Sequence, residues 1–264
     1  MNRRVFLAIA LLASTPWIDA ALAASNDTRC FEMRVYYAAE GKLEDLQARF
    51  RDHTTKLFEK HGMTNIGYWT PLADAGQAQP SPDPRLIYIL AYPSREAREE
   101  SWKNFVADPA WKAAQSASEK GGKLVAKAES TFLEAADFSP AIKPSVGDKP
   151  RIFELRTYTA REGKLEPLLD RFRQHTVALF AKYGMTNIGY WTLSKGQPGA
   201  DNTLIYILAH PSKDERAAAF KSFGSDPAWV AARKASEQAA GGSLTALEGV
   251  KSLLLAPTDY SPMR

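Results

Sequence analysis

The nine residues Gly-Met-Thr-Asn-Ile-Gly-Tyr-Trp-Thr occupy positions 62–70 and return, without a substitution, at positions 184–192. A repeat of such long period constrains the fold more than any local pattern, because both copies must build the same unit. The same offset carries Glu32, Arg34 and Tyr36 onto Glu154, Arg156 and Tyr158, and the run Arg49-Phe50-Arg51-x-His53-Thr54 onto Arg171-Phe172-Arg173-x-His175-Thr176. Beyond a connector four residues shorter in the second copy, Leu86–Ala91 returns as Leu204–Ala209, and Asp108-Pro109-Ala110-Trp111 as Asp226-Pro227-Ala228-Trp229. The chain is two copies of one module of roughly 110 residues, an ordinary domain size. We place the modules at residues 29–138 and 151–264, with a linker rich in Pro, Ser and Gly at 139–150.

Residues 1–23 fall outside the repeat. Arg3 and Arg4 precede an apolar run from Val5 to Ala13, and Ala21-Leu22-Ala23 offers the small residues of a cleavage site, so this segment is read as an export signal. The paired arginines match a twin-arginine or a general secretory leader, and the expected location is periplasmic or secreted. Removing the leader takes away two arginines and one aspartate and lowers the formal charge from +4 to +3. That excess is too small, and its Lys and Arg too scattered among acids, for a nucleic-acid surface. No other run reaches membrane length, so no membrane span is expected. Cys30 is the single cysteine, with Ile152 at the equivalent position, and is expected to be buried near a strand edge.

Within each module, Phe31–Tyr36 and Phe153–Tyr158 alternate in the manner of a half-buried strand. A helix follows, with Leu43, Leu46, Phe50, His53 and Leu57 at spacings of three and four, and Gly62 or Gly184 stands where it ends. The nine-residue repeat, with Ile66, Tyr68 and Trp69, forms a second strand that pairs as a hairpin with Leu86–Tyr92. Ser94 and Ser212 open the next helix, Asp108-Pro109 and Asp226-Pro227 open another, and a last strand lies near 124–132 and 244–255. The order βαββαβ is ferredoxin-like and the class is α+β. It covers one face of an antiparallel sheet with helices, so the two bare faces are expected to pack sheet to sheet as a pseudo-dimeric α/β barrel.

Glu154-Leu155-Arg156-Thr157-Tyr158, the run from Arg171 to Thr176 and the run from Gly184 to Trp191 together resemble the NIPSNAP family domain, and the resemblance covers both copies. It implies the dimeric α/β-barrel fold shared with antibiotic-biosynthesis monooxygenases and haem-degrading enzymes. No agreed activity comes with it, so function has to be argued from the site.

Two constellations carry candidate chemistry. His53 and His175 fall on the apolar stripe of the first helix and are expected to face the sheet, as general bases, as axial ligands to a haem, or as hydrogen-bonded core residues. In Glu32/Arg34/Tyr36 and Glu154/Arg156/Tyr158 all three side chains share one strand face. If the apolar face meets the helices, this polar row lines the barrel between the sheets. There it either forms a salt-bridge network between the repeats or uses Arg34 and Arg156 to grip a carboxylate or phosphate. Tyr36, Tyr158, Trp69 and Trp191 are expected to line a pocket, and Asn65 and Asn187 to offer amides to it. No Cys/His cluster with metal-site spacing, phosphate loop or nucleophile elbow occurs, which argues against zinc, nucleotide-hydrolysing and serine-hydrolase chemistry; no cofactor is predicted, with a haem at His53 or His175 the one left open. The expected role is binding of a small hydrophobic or aromatic molecule, as a cofactor-independent monooxygenase or as a non-catalytic haem, lipid-like or protein-interaction module. The fused pair leaves further oligomerisation open.

Overall fold

The computed structural model describes residues 27–72 and 84–264; the leader at 1–23 and most of the first module's hairpin connector lie outside them. The first module contains β1 (Cys30–Ala38), α1 (Leu43–Arg49), α2 (Thr55–Lys60), β2 (Thr64–Pro71), β3 (Arg85–Tyr92), α3 (Arg95–Ala107), α4 (Pro109–Ser118) and β4 (Val125–Ala135). The second repeats it as β5 (Ile152–Ala160), α5 (Leu165–Arg171), α6 (Val177–Lys182), β6 (Thr186–Leu193), β7 (Thr203–His210), α7 (Lys213–Ser225), α8 (Pro227–Ala239) and β8 (Thr245–Pro257). The stop and start signals act as expected. Gly62 and Gly184 take left-handed φ of 78° and 76°. Ser94 and Ser212 accept the backbone N–H of Ala97 and Glu215, and Asp108 and Asp226 accept those of Ala110 and Ala228. No described helix is long and apolar enough to cross a membrane.

All strand pairs are antiparallel, and the order β1-β3-β2-β8-β5-β7-β6-β4 closes into one barrel. The modules meet at two short seams, Trp69–Pro71 on β2 against Leu255–Pro257 on β8, and Leu133–Ala135 on β4 against Trp191–Leu193 on β6. Both tails also cross over. Ser139 of the linker accepts the Tyr190 N–H at 3.1 Å and Ile142 enters the barrel, while Ser261 accepts the Tyr68 N–H at 2.9 Å and Met263 enters from the other end. The linker is therefore also part of the core.

The nine-residue repeat owes its invariance to three backbone-level demands. A β-bulge between Asn65 and Gly67, and between Asn187 and Gly189, places side chains three apart on the same face. Asn65 thereby reaches the Tyr68 hydroxyl, and Asn187 that of Tyr190. On the opposite face the Trp69 ring lies over Gly67 so closely that an added Cβ would stand 2.4 Å from it, and Trp191 covers Gly189 in the same way at 2.5 Å.

The strand faces are the reverse of the sequence expectation. Phe31, Phe153, Trp69, Trp191 and the isoleucines of β3 and β7 fill the barrel, whereas Glu32, Arg34 and Tyr36 point under the helices. The physical reason is partner supply. The inner faces of the two sheets offer each other only hydrocarbon, while the helix layer brings Arg98 to the buried Glu32 carboxylate. Cys30 opens β1 half-buried, not buried, and burial raises its thiol above the ordinary range.

Candidate ligand pocket

The histidine expectation is also overturned in its geometry: His53 and His175 are exposed. Between α1 and α2, and between α5 and α6, the helix makes a π turn, Phe50–Thr54 and Phe172–Thr176. An extra residue in the turn rotates the succeeding side chains by about 100°. The inward stripe becomes Leu46, Phe50, Thr54 and Phe58, and the imidazoles swing out to shallow grooves between the first and last helices of each module. The buried Thr54 and Thr176 hydroxyls donate to the carbonyls of Arg49 and Arg171 at 3.1 Å, matching the wider turn.

Glu32 anchors the polar row. It accepts Arg34 Nη1 at 2.5 Å, Arg98 Nε and Nη2 at 2.9 and 2.8 Å, Ser130 Oγ at 2.6 Å and Tyr92 OH at 3.0 Å. Burial alone would raise its pKa, but hydrogen bonds from Arg98 and Ser130 and the Arg34 charge hold it at about 2. Arg34 donates its other nitrogens to the hydroxyls of Tyr88 (3.0 Å) and Tyr36 (3.3 Å) and stacks on Trp102 at 4.4 Å. Glu154 and Arg156 repeat this with Arg216, Ser252, Tyr206 and Tyr158. These networks lie within each module. Among the described residues, the ion pairs that join the modules are elsewhere and exposed, Arg51 with Asp259 and Arg173 with Asp137.

Arg34 and Arg156 thus have all three nitrogens engaged by protein groups. Asn65 and Asn187 are likewise occupied, donating to the carbonyls of Thr55 and Val177. Trp69 and Trp191 sit in the barrel core with no partner for their indole N–H. Tyr36 does line a pocket, and its surroundings define the candidate site.

That pocket, about 360 Å³, lies between the sheet and the helices of the first module. Tyr36, Phe50, Phe58, Trp102, Phe105 and Trp111 form aromatic walls, and Arg49 and Glu119 supply charge. The Arg49 side chain is 3% exposed, with Nη1 2.9 Å from Glu119 Oε1 and its guanidinium 5.2 Å from the Trp111 ring centroid, yet its Nε has no partner. In the second module Arg171 stands 5.3 Å over Trp229, 3.7 Å from Glu237, and its Nε is also unpartnered. Burial draws the Arg171 pKa below its ordinary value, with Glu237 offsetting only part of that. Neither arginine was singled out from sequence as a binding group. The available signal was a charged residue repeated beside the apolar positions Leu46 and Phe50.

Two linked βαββαβ modules in a closed barrel with helix-covered pockets define the class, a fused form of the dimeric α/β barrel. The NIPSNAP family model matches residues 31–140 and again 153–262, and the chain belongs to that family. Among solved structures, an anthrone oxidase-like protein is 12% identical with a TM-score of 0.58, covering 88% of this chain and 92% of its own. A candidate monooxygenase from Lactobacillus acidophilus is 12% identical with a TM-score of 0.53, covering 88% and 94%. A NIPSNAP family protein from Agrobacterium tumefaciens is 27% identical over 47% of this chain and 100% of its own, with a TM-score of 0.38. Among curated proteins none matches.

Proposed function

We propose that the first module binds a small aromatic or amphipathic molecule in its helix–sheet pocket, with the aromatic walls holding the apolar body and Arg49 the polar end. The observation that carries this reading is the Arg49 guanidinium. It is buried at the wall of an aromatic cavity and one of its donors is unmatched. Buried donors are nearly always paired, and a ligand carboxylate or hydroxyl would supply the acceptor.

The catalytic form of this proposal is cofactor-independent monooxygenation. It is supported by the descriptions of the two full-length structural neighbours, at an identity where only the fold is shared. Binding without turnover is the alternative. The exposed positions of His53 and His175, outside the pocket, favour neither as its base, and their shallow grooves lack the enclosing walls a porphyrin needs. Export of the mature chain is part of the proposal and rests on residues 1–23.

The test is native mass spectrometry of protein purified from its exported compartment, on the wild type, Arg49→Met and Arg171→Met. The expected result is a retained small molecule that Arg49→Met loses and Arg171→Met keeps. A wild type at its bare mass, or an Arg49→Met variant that retains the molecule, would overturn the assignment. Oxygen uptake with the released molecule, without added cofactor, then separates catalysis from binding.

A further inference from the structure

The charges on the wall of the Arg49 pocket do not balance. Its charged side chains are Arg49, Glu119 and Lys123, two cations against one carboxylate. Glu119 is committed to Arg49: its Oε1 accepts from Nη1 at 2.9 Å, Ser118 Oγ stands 3.4 Å from the same nitrogen, and Arg49 Nε is left without a partner. Lys123 lies in the turn between α4 and β4 and is exposed, and among the described residues no acceptor engages its ammonium. A neutral acceptor on a ligand would satisfy Nε and leave the surplus charge against aromatic walls, whereas a carboxylate answers both.

The second module disposes of its charges differently. Gly121-Gly122-Lys123-Leu124 returns as Gly241-Gly242-Ser243-Leu244, and Gln115 returns as Arg233. There the second cation is on the helix, with Arg233 Nε 4.0 Å from Glu237 Oε2 and Arg171 Nη1 3.7 Å from Oε1, so that one carboxylate lies between two guanidiniums. In the first module the second cation instead stands on the pocket wall, on a flexible stem that can follow a bound molecule.

Resting on the reading of this pocket as a ligand site, we infer that its ligand is an aromatic monocarboxylic acid, with the carboxylate held between Arg49 Nε and the Lys123 ammonium and the ring against Trp102 and Trp111. With that carboxylate in place the wall carries two positive and two negative charges. Glu119 is the positioning residue, since it fixes the guanidinium through Nη1 and leaves Nε for the ligand. Lys123 is the residue that selects an acid over its neutral analogue.

The probes are 2-naphthoate and 2-naphthamide, one ring system with and without the charge, titrated calorimetrically into the full-length protein at low salt. Naphthoate is expected to bind about tenfold more tightly than naphthamide. Lys123→Gln should cost naphthoate about fivefold in affinity and leave naphthamide unchanged, and Lys123→Arg should keep the preference. Arg49→Met should weaken both probes, which places them in this pocket. Equal affinity for the two probes, or a preference that survives Lys123→Gln, overturns the inference and leaves the pocket reading intact. Neither probe binding up to millimolar concentration, or naphthoate binding undiminished in Arg49→Met, overturns both.

Discussion

In the first module Arg49 meets Glu119 at 2.9 Å, and Tyr92 joins Glu32 to Trp102; in the second Arg171 stands 3.7 Å from Glu237, and His210 meets Glu154 with only Phe220 behind it. The two halves share their bulges, π turns and glycine-on-tryptophan contacts. They differ in which groups match their buried polar side chains. Duplication preserved what no other residue can supply. A bulge over which an indole lies flat tolerates only glycine, so Gly67 and Gly189 are held in both copies. A polar side chain needs only some complementary partner, and there the copies separated: Tyr92 with Trp102 in the first, His210 with Phe220 in the second, while the Nε of both Arg49 and Arg171 is left unpartnered.

The comparison is broken most severely by removing the carboxylate both modules retain. Glu32→Gln and Glu154→Gln each leave buried arginines short of a counter-charge, and each is expected to lower stability by about 3–5 kcal/mol, read by urea unfolding. Markedly unequal losses would show that the modules do not rely on the network alike. Gly67→Ala and Gly189→Ala drive a methyl group into an indole and should each cost about 1–3 kcal/mol, by the same amount in both halves.

Acid sharpens the first of these. Because the folded pKa of Glu32 is depressed to about 2 from 4.5, its contribution is complete above about pH 4.5 and is lost as pH falls through that window toward 2. Glu32→Gln should therefore show a shallower loss of stability over that range in pH-dependent denaturation. An unchanged slope would mean that Glu32 titrates normally.

Trp102→Phe imposes the second module's residue on the first and removes the donor to Tyr92. A loss of about 0.5–1.5 kcal/mol in thermal unfolding is expected beyond that of the smaller ring. Smallest are the exposed links between modules: Arg51→Ala and Arg173→Ala should cost about 0.2–1 kcal/mol each, and less at high salt. A larger, salt-insensitive loss would place the junction's stability in these pairs and not in the barrel core.

The repeat, the element order, the caps at Ser94, Ser212, Asp108 and Asp226 and the terminating glycines were all legible in the chain, because each is set by residues close together in sequence. The family was legible for the same reason, through contiguous runs. Alternation in Phe31–Tyr36 established that Glu32, Arg34 and Tyr36 share a face, but not which layer that face meets. That choice depends on where a distant donor such as Arg98 arrives. Spacings of three and four placed His53 and His175 inward on the assumption of 3.6 residues per turn, and one wider turn in the hydrogen-bond ladder turned them to solvent. Arg49 became visible as a functional candidate only once folding had brought aromatic walls, a carboxylate and an unmatched donor position together around it. Local sequence determines which elements form and where they stop, whereas the matching of buried polar groups is a property of residues tens of positions apart and was decided by the tertiary structure.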